Sequence, residues 1–491
     1  MNDMLPIGID IPNGHFIEGE LLGPQGNSMP VARPSDGVAY ADLPLADADI
    51  VDRAVSGARA AIKTARWARG APRERARLLR RLADLIDTDA PHLAMLEAIG
   101  STRTISEARA WDVPTAAETI RFFAEFADKI GGHVAPTPAD HLGMTINEPY
   151  GVVAAIAPWN FPLVMACWKI GAALAAGNAV VLKPSEMTPF SIVRVAQLAI
   201  EAGIPAGILN IVQGTGAMAG DLLCRHPSVA KITFTGSTRT GVAIMTAAAQ
   251  TGIKPVTLEL GGKSPQIVFA DADLERAATA IAKAITVNAG QVCVAGSRLL
   301  VHTSVRDALV ESVARLMTQG RPGPTWQESS SFSPIVSEAQ LARIDAIVAA
   351  TRDQGASVRI GGERHAGVQS GPFYAPTILE DVRPEMDAVR LEIFGPVLTV
   401  ETFEEEEEAL ALADHPDYGL CAGVHTRDLG RAMRMMRGLE AGTVWINRYG
   451  RSADFILPTG GFKGSGIGKD LGREAFEGNL KVKAVLADIG F

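Results

Sequence analysis

Five short β-rich runs between Gly151 and Phe269 (Val152 to Ala157, Ala179 to Lys183, Leu209 to Val212, Lys231 to Thr235 and Val256 to Leu260) alternate with helical stretches such as Pro189 to Ala202 and Gly241 to Ala249. Such alternation predicts crossover units on a parallel sheet. A second alternating region follows Cys293: Leu299 to Val301, helices around Val305 to Gln319 and Glu338 to Gln354, then strand-like Val397 to Phe403 and Gly442 to Asn447. It predicts a second α/β domain, as expected for 491 residues, which exceed one ordinary core. Ahead of both, apolar positions recur at helical spacing from about Ala48 to Gly100, with Gly70-Ala-Pro72 as a break. The clusters Arg321-Pro-Gly-Pro324, Ser329 to Ser331 and Ser370-Gly-Pro372 read as surface loops, and no solenoid repeat is present.

With 46 basic against 55 acidic residues the net charge is -9, which argues against a nucleic-acid partner, since phosphate binding needs a basic face. The acid run Glu404 to Glu408 fits a solvated helix start, where carboxylates offset unpaired N–H groups, better than a metal site, and no metal is expected. The cysteines Cys167, Cys224, Cys293 and Cys421 lie far apart with no Cys-x-x-Cys pair, so neither a zinc cage nor a disulfide framework is indicated. The start Met1-Asn-Asp-Met-Leu-Pro-Ile-Gly-Ile-Asp has no basic region or apolar core of a signal peptide, and no apolar run reaches the roughly 18 residues of a membrane span. A cytoplasmic location and no membrane partner are expected.

Two segments carry chemistry. Cys293 sits in Asn288-Ala-Gly-Gln291-Val-Cys293-Val-Ala-Gly-Ser-Arg298, framed by small residues that leave a thiol accessible. Glu259 sits in Leu258-Glu259-Leu260-Gly261-Gly262-Lys263-Ser264, where apolar neighbours would raise its pKa toward that of a general base. A nucleophile and a base for water suit covalent chemistry on a carbonyl. The other three cysteines have apolar neighbours and no such frame, and read as packing residues.

Together with Ala157-Pro158-Trp159-Asn160-Phe161-Pro162, Leu182-Lys183-Pro184-Ser185-Glu186, Phe234-Thr235-Gly236-Ser237-Thr238, Glu392-Ile393-Phe394-Gly395-Pro396 and Pro458-Thr459-Gly460-Gly461-Phe462-Lys463, these segments make the chain resemble the aldehyde dehydrogenase superfamily over most of its length. The resemblance implies an α/β fold: a Rossmann-like cofactor domain (1–128 and 148–261), a second α/β catalytic domain (262–459) and a small β oligomerisation element (129–147 and 460–491). In that family the first part of the last element is a protruding hairpin and the extreme C-terminus gives a strand to a neighbouring subunit, so a homodimer or homotetramer is implied.

The resemblance also implies roles. Cys293 would attack an aldehyde, Asn160 and the Cys293 N–H would hold the alkoxide, and Glu259 would activate water against the thioester. One such amide donor is worth roughly 10²–10³ in rate, so Asn160→Ala should lower kcat by that factor even with the thiol intact. Cofactor contacts map onto Trp159, Lys183, Ser185, Glu186, Gly236, Ser237, Gly241, Leu260, Glu392 and Phe394. The usual Gly-x-Gly-x-x-Gly is missing, Gly214-Thr-Gly216 being too short, and the turn Phe234 to Gly241 into a helix is the better pyrophosphate site. A carboxylate at Glu186 would repel the extra phosphate of NADP, which favours NAD, with NADP as the alternative. Met165, Trp168 and Phe462 match the substrate tunnel. Arg448 and Arg451 depart from the commoner loop and are candidates for an anionic tail, against the plainer reading of surface salt bridges.

The expected reaction is NAD(P)-dependent oxidation of an aldehyde to the carboxylic acid. A CoA-acylating enzyme has no need of Glu259. A catalytically silent binding or structural member would not need Cys293, Asn160 and Glu259 intact. A cysteine hydrolase lacks a histidine base in the motif.

Overall fold

The computed structural model describes residues 9–24, 26–368, 370–451 and 455–490. The first eight residues and Ser452 to Asp454, which carried part of the sequence reading, lie outside them.

The first alternating region forms one sheet whose order is Glu20–Leu22, His15–Ile17, Leu209–Ile211, Ala179–Lys183, Val152–Ile156, Val229–Thr235, Val256–Glu259 and Gly466–Ile467. The five inner strands are parallel, and the two flanking strands that pair with them, His15–Ile17 and Gly466–Ile467, are antiparallel. Three inner strands are buried along their whole length, as a sheet covered on both faces requires. Strand order reverses between Val152–Ile156 and Val229–Thr235, and in such sheets that reversal opens a crevice at the carboxyl ends of the two strands.

A second sheet runs Ser357–Ile360, Thr377–Glu380, Val397–Phe403, Arg298–His302, Pro265–Val268, Cys421–His425 and Thr443–Ile446, parallel except at the Ser357–Ile360 edge. The predicted helices appear as Ala48–Thr64, Pro72–Thr88 and Ala90–Gly100, then Ser191–Glu201, Thr238–Gln250, Arg306–Met317 and Glu338–Asp353. The acid run opens the helix Glu406–Ala413, with Glu406 paired to Arg434 at 2.8 Å.

In the C-terminal segment, Leu480–Asp488 joins the small sheet, pairing with His141–Pro149 along all nine residues and standing at the edge of that sheet. Before it, Phe462–Lys463 pairs with Tyr418–Gly419 and Gly466–Ile467 pairs with Leu258–Glu259, so this stretch ties the two larger sheets together. The small sheet leaves Val134, Ile146, Val482 and Leu486 exposed.

Candidate active site

Cys293 lies in the connection from the helix Leu274–Thr286 to the strand Arg298–His302. Asn288, Ala289 and Gly290 take left-handed conformations in succession (φ 49°, 50° and 71°), turning the chain sharply. Gly290 is required there, because a Cβ would lie 2.1 Å from the Gly395 carbonyl oxygen. Asn288 accepts from Thr102 Oγ1 (2.6 Å) and donates to the Asn160 carbonyl (2.8 Å). Asn160 Nδ2 in turn donates to the Gln291 carbonyl (3.0 Å), and Gln291 Nε2 to the Pro334 carbonyl (2.9 Å). The loop before Cys293 is thereby pinned from both sides to the segment after the strand Val152–Ile156. Asn288 was not singled out in the sequence; an asparagine two residues from a glycine, tolerant of φ > 0, was the available signal.

Cys293 is half-buried and Glu259 buried, and both stand on the wall of one cavity of about 420 Å³, within the range of small-ligand sites. Met165, Trp168 and Arg451 line it as well. Arg448 and Phe462 do not: Arg448 is exposed and donates to the Gly450 carbonyl (3.1 Å), and Phe462 is half-exposed on its hairpin under Lys469. Thr459, three residues before Phe462, reaches the wall instead. Trp111, Phe161, Val292, Lys283, Tyr449 and Thr235 complete much of it, contributed by segments remote in sequence. Asn160 is buried beside the cavity rather than on its wall, with one of its two amide hydrogens committed to Gln291.

Burial pushes the Cys293 thiol up to about 12, and the positive charge of Arg451 opposes it. These surroundings disfavour the thiolate in the free protein. Alkylation of Cys293 by iodoacetamide should rise about tenfold per pH unit between about pH 7 and 10, tracking the thiolate fraction; a rate flat with pH would contradict this environment. Burial also pushes the Glu259 carboxyl well above the usual carboxylate range, and the nearby Asp470 acts in the same direction while Lys169 opposes. Glu259 accepts the Asp470 N–H (3.3 Å), and Asp470 is ion-paired with Lys169 (3.0 Å). Lys169 is a lysine inside an otherwise apolar helix, Pro162–Ala175, which marks it in the sequence as a buried charge with a partner.

A second cavity, of about 580 Å³, opens at the strand-order reversal and meets the first at Thr235, which lines both. Trp159, Lys183, Ser185, Glu186, Gly236 and Ser237 are on its wall. Ser237 caps the helix Thr238–Gln250, accepting the Thr240 N–H (3.3 Å), and Arg239 lies beside it. Free first-turn N–H groups with an adjacent cation suit a pyrophosphate. Lys183 donates to the carbonyls of Pro184 (2.6 Å) and Gly214 (2.8 Å) and pairs with Glu186 (3.1 Å). Burial pushes the Glu186 carboxyl up, but Lys183 and hydrogen bonds outweigh it and hold the group ionised.

Gly241 and Leu260 are not on this wall. They pack on each other behind it, where a Cβ on Gly241 would lie 2.8 Å from the Leu260 side chain, so they set how closely the helix lies on the sheet. Glu392 and Phe394 line neither cavity. Glu392 accepts the Gly262 N–H (3.1 Å), and the Phe394 ring meets Trp159 edge-on at 5.3 Å. A Cβ on Gly262 would be 2.7 Å from the Cys293 carbonyl oxygen, so Glu392 is one hydrogen bond from the segment that underlies the thiol. Gly216, on the wall, donates to Glu186 (3.4 Å), a contact that the short Gly-x-Gly did not announce.

Among the described residues no group of histidines, cysteines and acids is placed to hold a metal, and no helix is long and apolar enough to cross a membrane. All four cysteines are free.

The profile described as "Aldehyde dehydrogenase family" matches residues 22–485. An aldehyde dehydrogenase of Aspergillus niger is 42% identical over 480 residues, covering 98% of this chain and 96% of its own. Among solved structures, a variant of Pseudomonas syringae indole-3-acetaldehyde dehydrogenase in complex with NAD+ and IAA is 42% identical with a TM-score of 0.95, covering 98% of this chain and 97% of that one. Gamma-glutamyl-gamma-aminobutyraldehyde dehydrogenase from Burkholderia cenocepacia is 43% identical with a TM-score of 0.95 over the same shares.

Proposed function

Because the chain belongs to the aldehyde dehydrogenase family, we propose that it oxidises an aldehyde to the carboxylic acid with NAD, through a thioester on Cys293 that Glu259 helps water to cleave. The observation that carries this reading is the pair Cys293 and Glu259 on one cavity wall, joined through Thr235 to a second cavity fitted for a dinucleotide. Lys183 and Glu186 would hold the adenosine ribose, the Ser237 turn the pyrophosphate, and Glu392 and Phe394 the nicotinamide end. NAD, when bound, supplies the acceptor for a hydride.

The residues act in sequence. Cys293 gives its proton to water and its sulfur adds to the carbonyl carbon, giving an alkoxide. The free N–H of Asn160 and the Cys293 backbone N–H stabilise that charge, in a place too dry for water to do so. Departure of hydride from the carbon re-forms the carbonyl as a thioester. Glu259 then takes a proton from water, the hydroxide adds, and the C–S bond breaks to release the acid and restore the sulfur. An ionised Glu186 supports NAD over NADP, since a 2′-phosphate would meet a fixed negative charge.

The domain division 1–128 with 148–261, then 262–459, fits this scheme, with 129–147 and 460–491 as an oligomerisation element. Exposed apolar side chains on the small sheet (Val134, Ile146, Val482, Leu486) support a homodimer or homotetramer. Four free cysteines support a reducing, cytoplasmic setting. The test is NADH formation from NAD and a panel of aldehydes, with product analysis in the presence of CoA. The free acid is the expected product, and acyl-CoA in its place would transfer the reading to the acylating alternative.

A further inference from the structure

The charges on the wall of the catalytic cavity do not balance. Arg103 is committed to Asp112 (2.8 Å) and Glu107 (3.2 Å), both acids close to it. Glu259 is buried and forms no ion pair among the described residues, its Oε1 accepting the Asp470 N–H (3.3 Å). Two cations are left, Lys283, which is exposed, and Arg451, which is half-buried. Neither forms an ion pair among the described residues, and the Arg451 guanidinium lies 5.3 Å above the Trp168 ring. Trp168 presents its own deficit: the indole Nε1 is buried with no acceptor. Trp111, Phe161, Met165, Val287 and Val292 give this wall a broad apolar surface, beside the uncharged polar groups of Ser106, Thr235, Tyr449 and Thr459. In a chain of net charge -9, a local surplus of positive charge inside an apolar cavity attracts an anion with an apolar body.

We propose that the aldehyde oxidised at this site carries a carboxylate, received by Arg451 against Trp168 while the carbonyl carbon meets Cys293. This rests on the dehydrogenase reading above. A guanidinium offers a carboxylate two parallel N–H donors, and an aromatic ring beneath it keeps the fork oriented. Lys283 adds charge without that geometry. Arg448 takes no part.

Two measurements separate this inference from the reading on which it rests. The first is kcat/KM for succinate semialdehyde relative to hexanal. In Arg451→Met the ratio should fall roughly tenfold or more, the worth of a charged hydrogen bond, and Arg451→Lys should restore part of it. Because it is a ratio within one protein, partial loss of folded enzyme cancels. The second is the rate of Cys293 alkylation by iodoacetate relative to iodoacetamide, which needs no turnover; Arg451→Met should lower this ratio too. If hexanal is oxidised and both ratios are unchanged by Arg451→Met, the inference is overturned. If neither aldehyde yields NADH, the dehydrogenase reading falls, and the alkylation ratio still decides whether Arg451 receives an anion.

Discussion

Serine in place of Cys293 should end NADH formation from every aldehyde, with kcat lower by roughly 10⁴-fold or more. A hydroxyl is a far weaker acid than a thiol, and this cavity already disfavours the charged sulfur, pushing the thiol up to about 12. The same surroundings would hold a serine hydroxyl neutral, and among the described residues no histidine lines the cavity to take its proton. The substitution removes one polarizable atom from a half-buried position, so the thermal unfolding midpoint and NAD binding should change little. Cys421 cannot substitute: it is buried with Ser264 Oγ at 3.2 Å and is not on the wall. Steady-state activity above a hundredth of the parent enzyme would point to another nucleophile.

Glu259→Gln should separate the two halves of the reaction. Addition of the sulfur and loss of hydride do not require the carboxylate, whereas hydrolysis of the thioester does. The expected result is a burst of about one NADH per site, then turnover slower by roughly 10²–10⁴-fold, the usual worth of a general base. Glutamine keeps the shape and can still accept the Asp470 N–H now held by Oε1, so the strand end at Glu259 should be preserved. Loss of the burst along with turnover would mean that Glu259 acts before the thioester forms.

Much of the fold was legible because α/β alternation writes itself into hydrophobic pattern, and the strand Val397–Phe403 and the helix beginning at Glu338 fall where the periodicity predicts. The helix Pro162–Ala175 was not legible. All its residues are buried, so it has no polar face and no period to detect. The strands His15–Ile17 and Glu20–Leu22 were missed for another reason, being too short to show alternation. At the site, Cys293 and Glu259 were legible because each sits inside a contiguous motif whose neighbours serve the same function. Thr235, Trp111, Lys283 and Thr459 were not, since what makes them wall residues is the meeting of segments hundreds of residues apart. Phe462 was misplaced because motif spacing does not reveal that it pairs with Gly419 on a surface hairpin. The raised thiol pKa was equally hidden, as burial is a property of the folded chain.

The central claim is that the substrate becomes covalently bound to one sulfur. Glu259→Gln should be mixed with NAD and excess aldehyde, quenched in acid during the burst, digested and analysed by mass spectrometry. The peptide containing Cys293 should gain the mass of the acyl group less one hydrogen, and hydroxylamine should remove it. An unmodified Cys293 peptide in a sample that has formed NADH, or the acyl group on any other residue, would contradict it.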